Sequence, residues 1–227
     1  MNASALFKSI QYCYYYATAY NRKGHGVHSP FVYQIIREVL LDNRFFYAFK
    51  DLAAAALTHH FHQQFSLKYY QLLFRFIHFY KPSSIVILSK KSHLAALYIA
   101  ATNTEQPIWI MEENRAEMAH LSNNHLFKNL DCLDRIWENE SEKKHCFYAD
   151  FLTLDEALKS NIQSILTHQN KSVCMVIANP QIHSNANTFY KFLRQSSSVT
   201  LSIDLFYISL LFFRPEQLQK EHFSVQY

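Results

Sequence analysis

Thirteen histidines run through the 227 residues, and the tightest group, His59, His60 and His62, is where metal chemistry would begin. Neutral imidazoles ligate zinc, and side chains three apart share a helix face, so His59 and His62 make half of a site. No second pair or nearby carboxylate completes it, and His-Glu-x-x-His is absent. His120 and His125 are five apart, off the same-face spacing. The expectation is no metal. The chain has only two glycines, Gly24 and Gly26. A Gly-x-Ser-x-Gly nucleophile elbow and a phosphate-cradling P-loop are therefore excluded, and no residue stands out as catalytic. The four cysteines, Cys13, Cys132, Cys146 and Cys174, form no Cys-x-x-Cys and read as reduced, mostly buried thiols.

Apolar residues make up 49% and charged residues 18%, so a folded core is expected rather than a disordered polymer, with Phe (19) and Tyr (15) supplying much of the burial. The net charge is only +4 and the basic residues are scattered, so nucleic acid is not an expected partner. No stretch of 18 apolar residues occurs, and the N-terminus lacks a basic region followed by an apolar core; no transmembrane segment and a cytoplasmic location are expected.

The elements that must position any site follow from periodicity. Residues 4 to 20 place Leu6, Ile10, Cys13 or Tyr14, and Ala17 on one helical face, with a tyrosine run at 14 to 16. This helix either packs on the body, docks a protein partner, or lies on a membrane surface. Ser29 and Pro30 spell a helix start, Ser29 as the cap and Pro30 in the first helical position. A further helix spans residues 66 to 80 and is stopped by Lys81-Pro82. Beyond it, short apolar runs alternate with helical segments: strands at 85–88, 108–111, 146–148 and 173–178, and helices at 94–101, about 114–121 and 154–166. Such alternation predicts a doubly wound, mostly parallel α/β sheet, closed by an antiparallel hairpin within 199–213. The organisation expected is a helical N-terminal extension, residues 1–65, and a Rossmann-like domain, residues 66–227.

Three stretches, GVHSPFVY with REVL after it (from Gly26), KYYQLLFRFIHFYKPSSIVIL (from Lys68) and VTLSIDLFYISLLFFRPEQ (from Val199), carry a resemblance. The sequence resembles the class I, Rossmann-like, S-adenosylmethionine-dependent methyltransferases, in particular a bacterial subgroup with an N-terminal HSPF helical extension. The resemblance implies S-adenosylmethionine as cofactor and assigns places to five residues. Ser89 and His93 take two positions where glycines let the cofactor lie on the backbone after the first strand, and Ile87 takes the place of an acid. Lys90 and Lys91 beside them either hold an anionic group or form a solvated turn. Glu112 takes the place of the carboxylate that grips the ribose hydroxyls, or is a plain surface acid. Asp150 takes a place near the adenine amino group, or caps the helix after it. Asn179 falls where the subgroup carries an acid after the fourth strand, with His183 alone in register. Because only residues 188–198 separate this place from the final hairpin, the resemblance further implies a truncated sheet lacking its fifth strand. With glycines and acids replaced, the functional expectation is a degraded cofactor site and an interaction module with a protein partner at the aromatic N-terminal helix. The alternative is an active methyltransferase with an altered cofactor loop.

Overall fold

The computed structural model describes residues 3–20, 23–58, 67–102, 107–111, 127–130, 144–167, 172–214 and 219–227. Helix α1 (Ala3–Thr18) leads through a turn containing Gly24 and Gly26, both at positive φ, into α2 (Pro30–Ile35), which continues as a π-helical turn, Ile36–Leu40. Pro30 occupies the first turn of α2 as expected, whereas the Ser29 side chain makes no capping hydrogen bond. Helices α3 (Ala48–Thr58) and α4 (Leu67–Tyr80) follow. Lys81, at φ +48, takes the left-handed position that glycine commonly fills after a helix, and Pro82 prevents continuation.

From there the chain alternates: β1 (Ser84–Ile87), α5 (His93–Ala100), β2 (Ile108–Met111), β3 (Phe127–Leu130), β4 (His145–Asp150), a 3-10 turn at Phe151–Thr153, α6 (Glu156–Leu166), β5 (Val173–Ala178), α7 (Ser184–Gln195), β6 (Leu201–Asp204), β7 (Ile208–Phe213) and β8 (Glu221–Ser224). The strands form one sheet in the order β3-β2-β1-β4-β5-β7-β6-β8. The first five are mutually parallel; β7 runs antiparallel to both β5 and β6, and β8 lies parallel to β6. The doubly wound sheet with a terminal hairpin is as the sequence predicts. The truncation is not: Val173–Ala178 is the fifth strand, and α7 follows it before the hairpin. The miscount has a local cause, because Phe127–Leu130 reads FKNL, an edge strand with no continuous apolar run to announce it. The helix expected at 114–121 lies outside the described residues.

β4 and β5 are buried along their whole length, which explains the apolar run of β5 and the apolar middle of β4 between His145 and Asp150. On one face Ile85, Ile87, Cys146, Tyr148, Cys174 and Val176 pack under α2 to α5. On the other, Val86, Phe147, Ala149, Met175 and Ile177 meet Leu158 and Ile162 of α6 and Phe189 and Leu193 of α7. Val32, Ile35, Ile36 and Val39 of the N-terminal segment share the first cluster with the sheet.

Helix α1 docks against the hairpin turn, and not by the face its apolar spacing suggests. Tyr15 is buried, its hydroxyl donating to the Val225 carbonyl, and its ring and that of Tyr12 pack on Phe206 at 5.3 and 5.0 Å between centroids. Leu6, Ile10, Cys13 and Ala17 are exposed instead. Tyr20 then pairs with the chain end, its N–H donating to the Ser224 carbonyl at 2.7 Å.

Candidate functional site

In an open parallel sheet, ligands bind in the crevice beyond the carboxyl ends of the strands, where the winding reverses. Here the chain moves outward from β1 to β2 and β3, then returns to the other side of β1 as β4, so the reversal falls between β1 and β4. Ser89 stands just past the end of β1, and Asp150 closes β4. They touch: the Asp150 backbone N–H donates to the Ser89 hydroxyl oxygen, and both residues are 1% exposed. One residue earlier the Leu88 N–H donates to the Tyr148 carbonyl at 2.9 Å, so pairing runs on past the end of β1.

Asp150 is enclosed and supplied with donors. Its Oδ1 accepts from the Asn179 side-chain amide at 2.8 Å and from the Leu152 N–H at 2.9 Å. The second bond caps the 3-10 turn that follows, whereas the helix expected after it, α6, takes its cap from Asp155. Burial pushes its carboxyl above the ordinary range, outweighing the two hydrogen bonds that favour the charged form. Asn179 stands one residue past β5, and not past the fourth strand as expected, because the edge strand β3 adds one to the count; the residue that closes the fourth strand is Asp150. Asn179 has φ +56, with its N–H on the Tyr207 carbonyl at 2.8 Å. Asparagine tolerates this left-handed conformation better than most residues.

The turn from 88 to 92 keeps a left-handed residue without a glycine, Lys91 at φ +56. Lys90 faces Asp155 at 3.4 Å, both side chains nearly half exposed, an ion pair that solvent screens almost to nothing. Half-buried His93 opens α5. Glu112 lies outside the described residues, as do His59, His60 and His62. His183 serves the fold, its Nδ1 accepting the Ala186 N–H at 3.0 Å to cap α7, which places the proton of the neutral ring on Nε2. Among the described residues no three His, Cys, Asp or Glu side chains converge as a metal site.

A second polar group, beneath the hairpin turn, escapes sequence reasoning. Asp204 is buried and accepts from the Phe206 N–H at 2.8 Å and the Ser209 hydroxyl at 3.2 Å. Burial drives its carboxyl upward despite those bonds and the nearby Arg194. The one available signal was an acid interrupting the apolar run LSIDLF.

The sequence matches no protein-family model and no curated protein. Solved structures do resemble the fold. A methyltransferase from Geobacter sulfurreducens aligns over 78% of this chain and 93% of its own, at 12% identity and a TM-score of 0.50. The S-adenosylhomocysteine-bound methyltransferase PaMTH1 of Podospora anserina aligns over 77% and 91%, at 10% identity and 0.55. For a putative caffeoyl-CoA O-methyltransferase from Staphylococcus aureus the values are 73%, 92%, 10% and 0.50. The architecture is thus the class I methyltransferase fold. No helix among the described residues is long and apolar enough to cross a membrane.

Proposed function

We propose that this chain is a methyltransferase-fold protein whose cofactor crevice is held shut by its own side chains, and that it acts as an interaction module. The observation that carries the reading is the hydrogen bond from the Asp150 N–H to the Ser89 hydroxyl across the β1/β4 reversal. A direct bond there ties the two strand ends together, and it uses the Asp150 N–H, a donor that a ligand in the crevice would otherwise meet. These residues therefore do not fit S-adenosylmethionine, and no methyl transfer is derived through them. The contact surface in this proposal is α1, whose Leu6, Ile10, Tyr14 and Tyr16 are exposed while Tyr15 anchors it. A cytoplasmic location belongs to the same proposal, supported by the wide spacing of the cysteines.

Lys91 favours a second reading. Its left-handed φ preserves the form of a glycine turn after β1, as an active methyltransferase with a rebuilt loop would. Calorimetric titration with S-adenosylhomocysteine separates the two. The closed site predicts no binding heat up to millimolar ligand; a micromolar dissociation constant, weakened by Glu112→Ala, sinks the closed site and establishes the alternative.

A further inference from the structure

We infer that docking of α1 and closure of the β1/β4 crevice are one coupled event, transmitted through the turn at residues 205–207. This rests on the closed-crevice reading, and adds to it the device that holds the crevice shut. The contacts form an unbroken series. Tyr12 and Tyr15 of α1 pack on Phe206, and Phe206 packs edge-on against Tyr207 at 4.9 Å. The Tyr207 carbonyl accepts the Asn179 N–H, the Asn179 amide feeds Asp150, and the Asp150 N–H meets Ser89.

Backbone strain marks the same route. Among the described residues four that are not glycine have positive φ, and three of them, Lys91, Asn179 and Phe206, lie in loops that follow β1, β5 and β6 at the carboxyl ends of those strands. An aromatic residue at φ +68 is a sterically costly turn residue that persists only where its surroundings hold it. Phe206 is 1% exposed, enclosed by the two tyrosine rings of α1, with its own N–H on Asp204. When α1 departs, the rings that enclose Phe206 depart with it. The turn then relaxes toward negative φ, and the Tyr207 carbonyl leaves the Asn179 N–H. Asn179, itself left-handed, loses the bond that fixes its backbone, and its side chain releases Asp150. The turn is the two-state element that a coupling argument requires. A partner that captures α1 by its outward face would thereby loosen strand ends in the middle of the sheet that it never touches.

Amide hydrogen exchange in the full chain tests this, because the Asn179 and Asp150 N–H groups are themselves links in the series. In a Tyr12→Leu, Tyr15→Leu double variant, which removes both rings from Phe206, both amides are expected to exchange about tenfold faster, the scale of losing aromatic pair contacts, while Val176 in the middle of β5 is unchanged. Faster exchange confined to residues 3–20 and 205–207 overturns the coupling, and so does an equal rise at Val176, which is global opening. Phe206→Gly provides the second arm, since glycine holds a positive φ without enclosure. In that background the same two substitutions should change Asn179 exchange by no more than about twofold; an undiminished effect overturns transmission through the turn. Micromolar binding of S-adenosylhomocysteine by the unaltered protein removes the closed crevice itself. Unchanged exchange at Asn179, with no such binding, removes only the coupling.

Discussion

A carboxyl group enclosed at the end of a parallel strand keeps its charge only where donors make up for lost water, and Asp150 has two, the Asn179 amide and the Leu152 N–H. They do not make up the whole loss, so its carboxyl holds a proton to higher pH in the folded protein than in the unfolded chain. The folded state therefore binds more protons between the ordinary carboxylate value of 3.8 and the raised one, and stability falls as pH rises through that window. Asp150→Asn keeps an oxygen acceptor for both donors and removes the ionisation. Relative to the wild type, the variant should gain stability steadily from about pH 4 upward through the raised value, as read by urea denaturation at each pH. A difference that stays flat across the range contradicts the burial argument. Buried Asp204 has the same sign and is present in both proteins, so it cancels in the comparison.

The elements are set by short-range chemistry, and α6 shows it most plainly. Asp155 precedes Glu156, and its Oδ1 accepts the Leu158 N–H at 2.7 Å, satisfying one of the free donors of the first turn. That bond is the main cause holding the Asp155 carboxyl below the ordinary range, with Lys90 a further one against partial desolvation. The cap's contribution is present above the ordinary carboxylate value and is lost as pH falls through the depressed one. Asp155→Ala should cost about 1 kcal/mol at neutral pH, seen as a lower denaturation midpoint, and Asp155→Asn should recover most of it. Helix α6 was readable in the sequence to within two residues, because a carboxylate, an apolar period and a polar outer face all agree. The π-helical turn after α2 was not: the Leu41 N–H bonds to the Ile36 carbonyl at 2.9 Å, one residue further back than an α-helix allows, and no residue type signals it. Helix α1 misled in a different way. Its apolar spacing picks out Leu6, Ile10, Cys13 or Tyr14, and Ala17, yet the contact is made by Tyr12 and Tyr15, whose rings both reach Phe206, while the Tyr15 hydroxyl reaches a carbonyl 210 residues away.

Across the whole molecule the sheet is the common wall of two hydrophobic layers, so a lesion in its middle should be felt globally. Leu211 of β7 is fully buried, with Met175 and Ser202 as its register partners on either side. Leu211→Ala should destabilise the protein by about 2–5 kcal/mol, with the urea midpoint lowered and the slope unchanged if unfolding is cooperative. A cost below about 1 kcal/mol would mean that the layer collapses around the gap, contrary to close packing there. Sequence alone determined the alternation of strands and helices, the closing hairpin and the chemistries barred by two glycines, because these depend on residues near one another along the chain. It did not determine that five parallel strands precede the hairpin, since edge strand β3 carries no apolar run. Nor did it determine the contacts at the ends of β1, β4 and β5: Ser89 and Asp150 are 61 residues apart, Asp150 and Asn179 are 29 apart, and strand order alone brings them together. A hydrogen bond between distant residues leaves no local trace in composition or periodicity; it exists only once the sheet has placed β4 between β1 and β5.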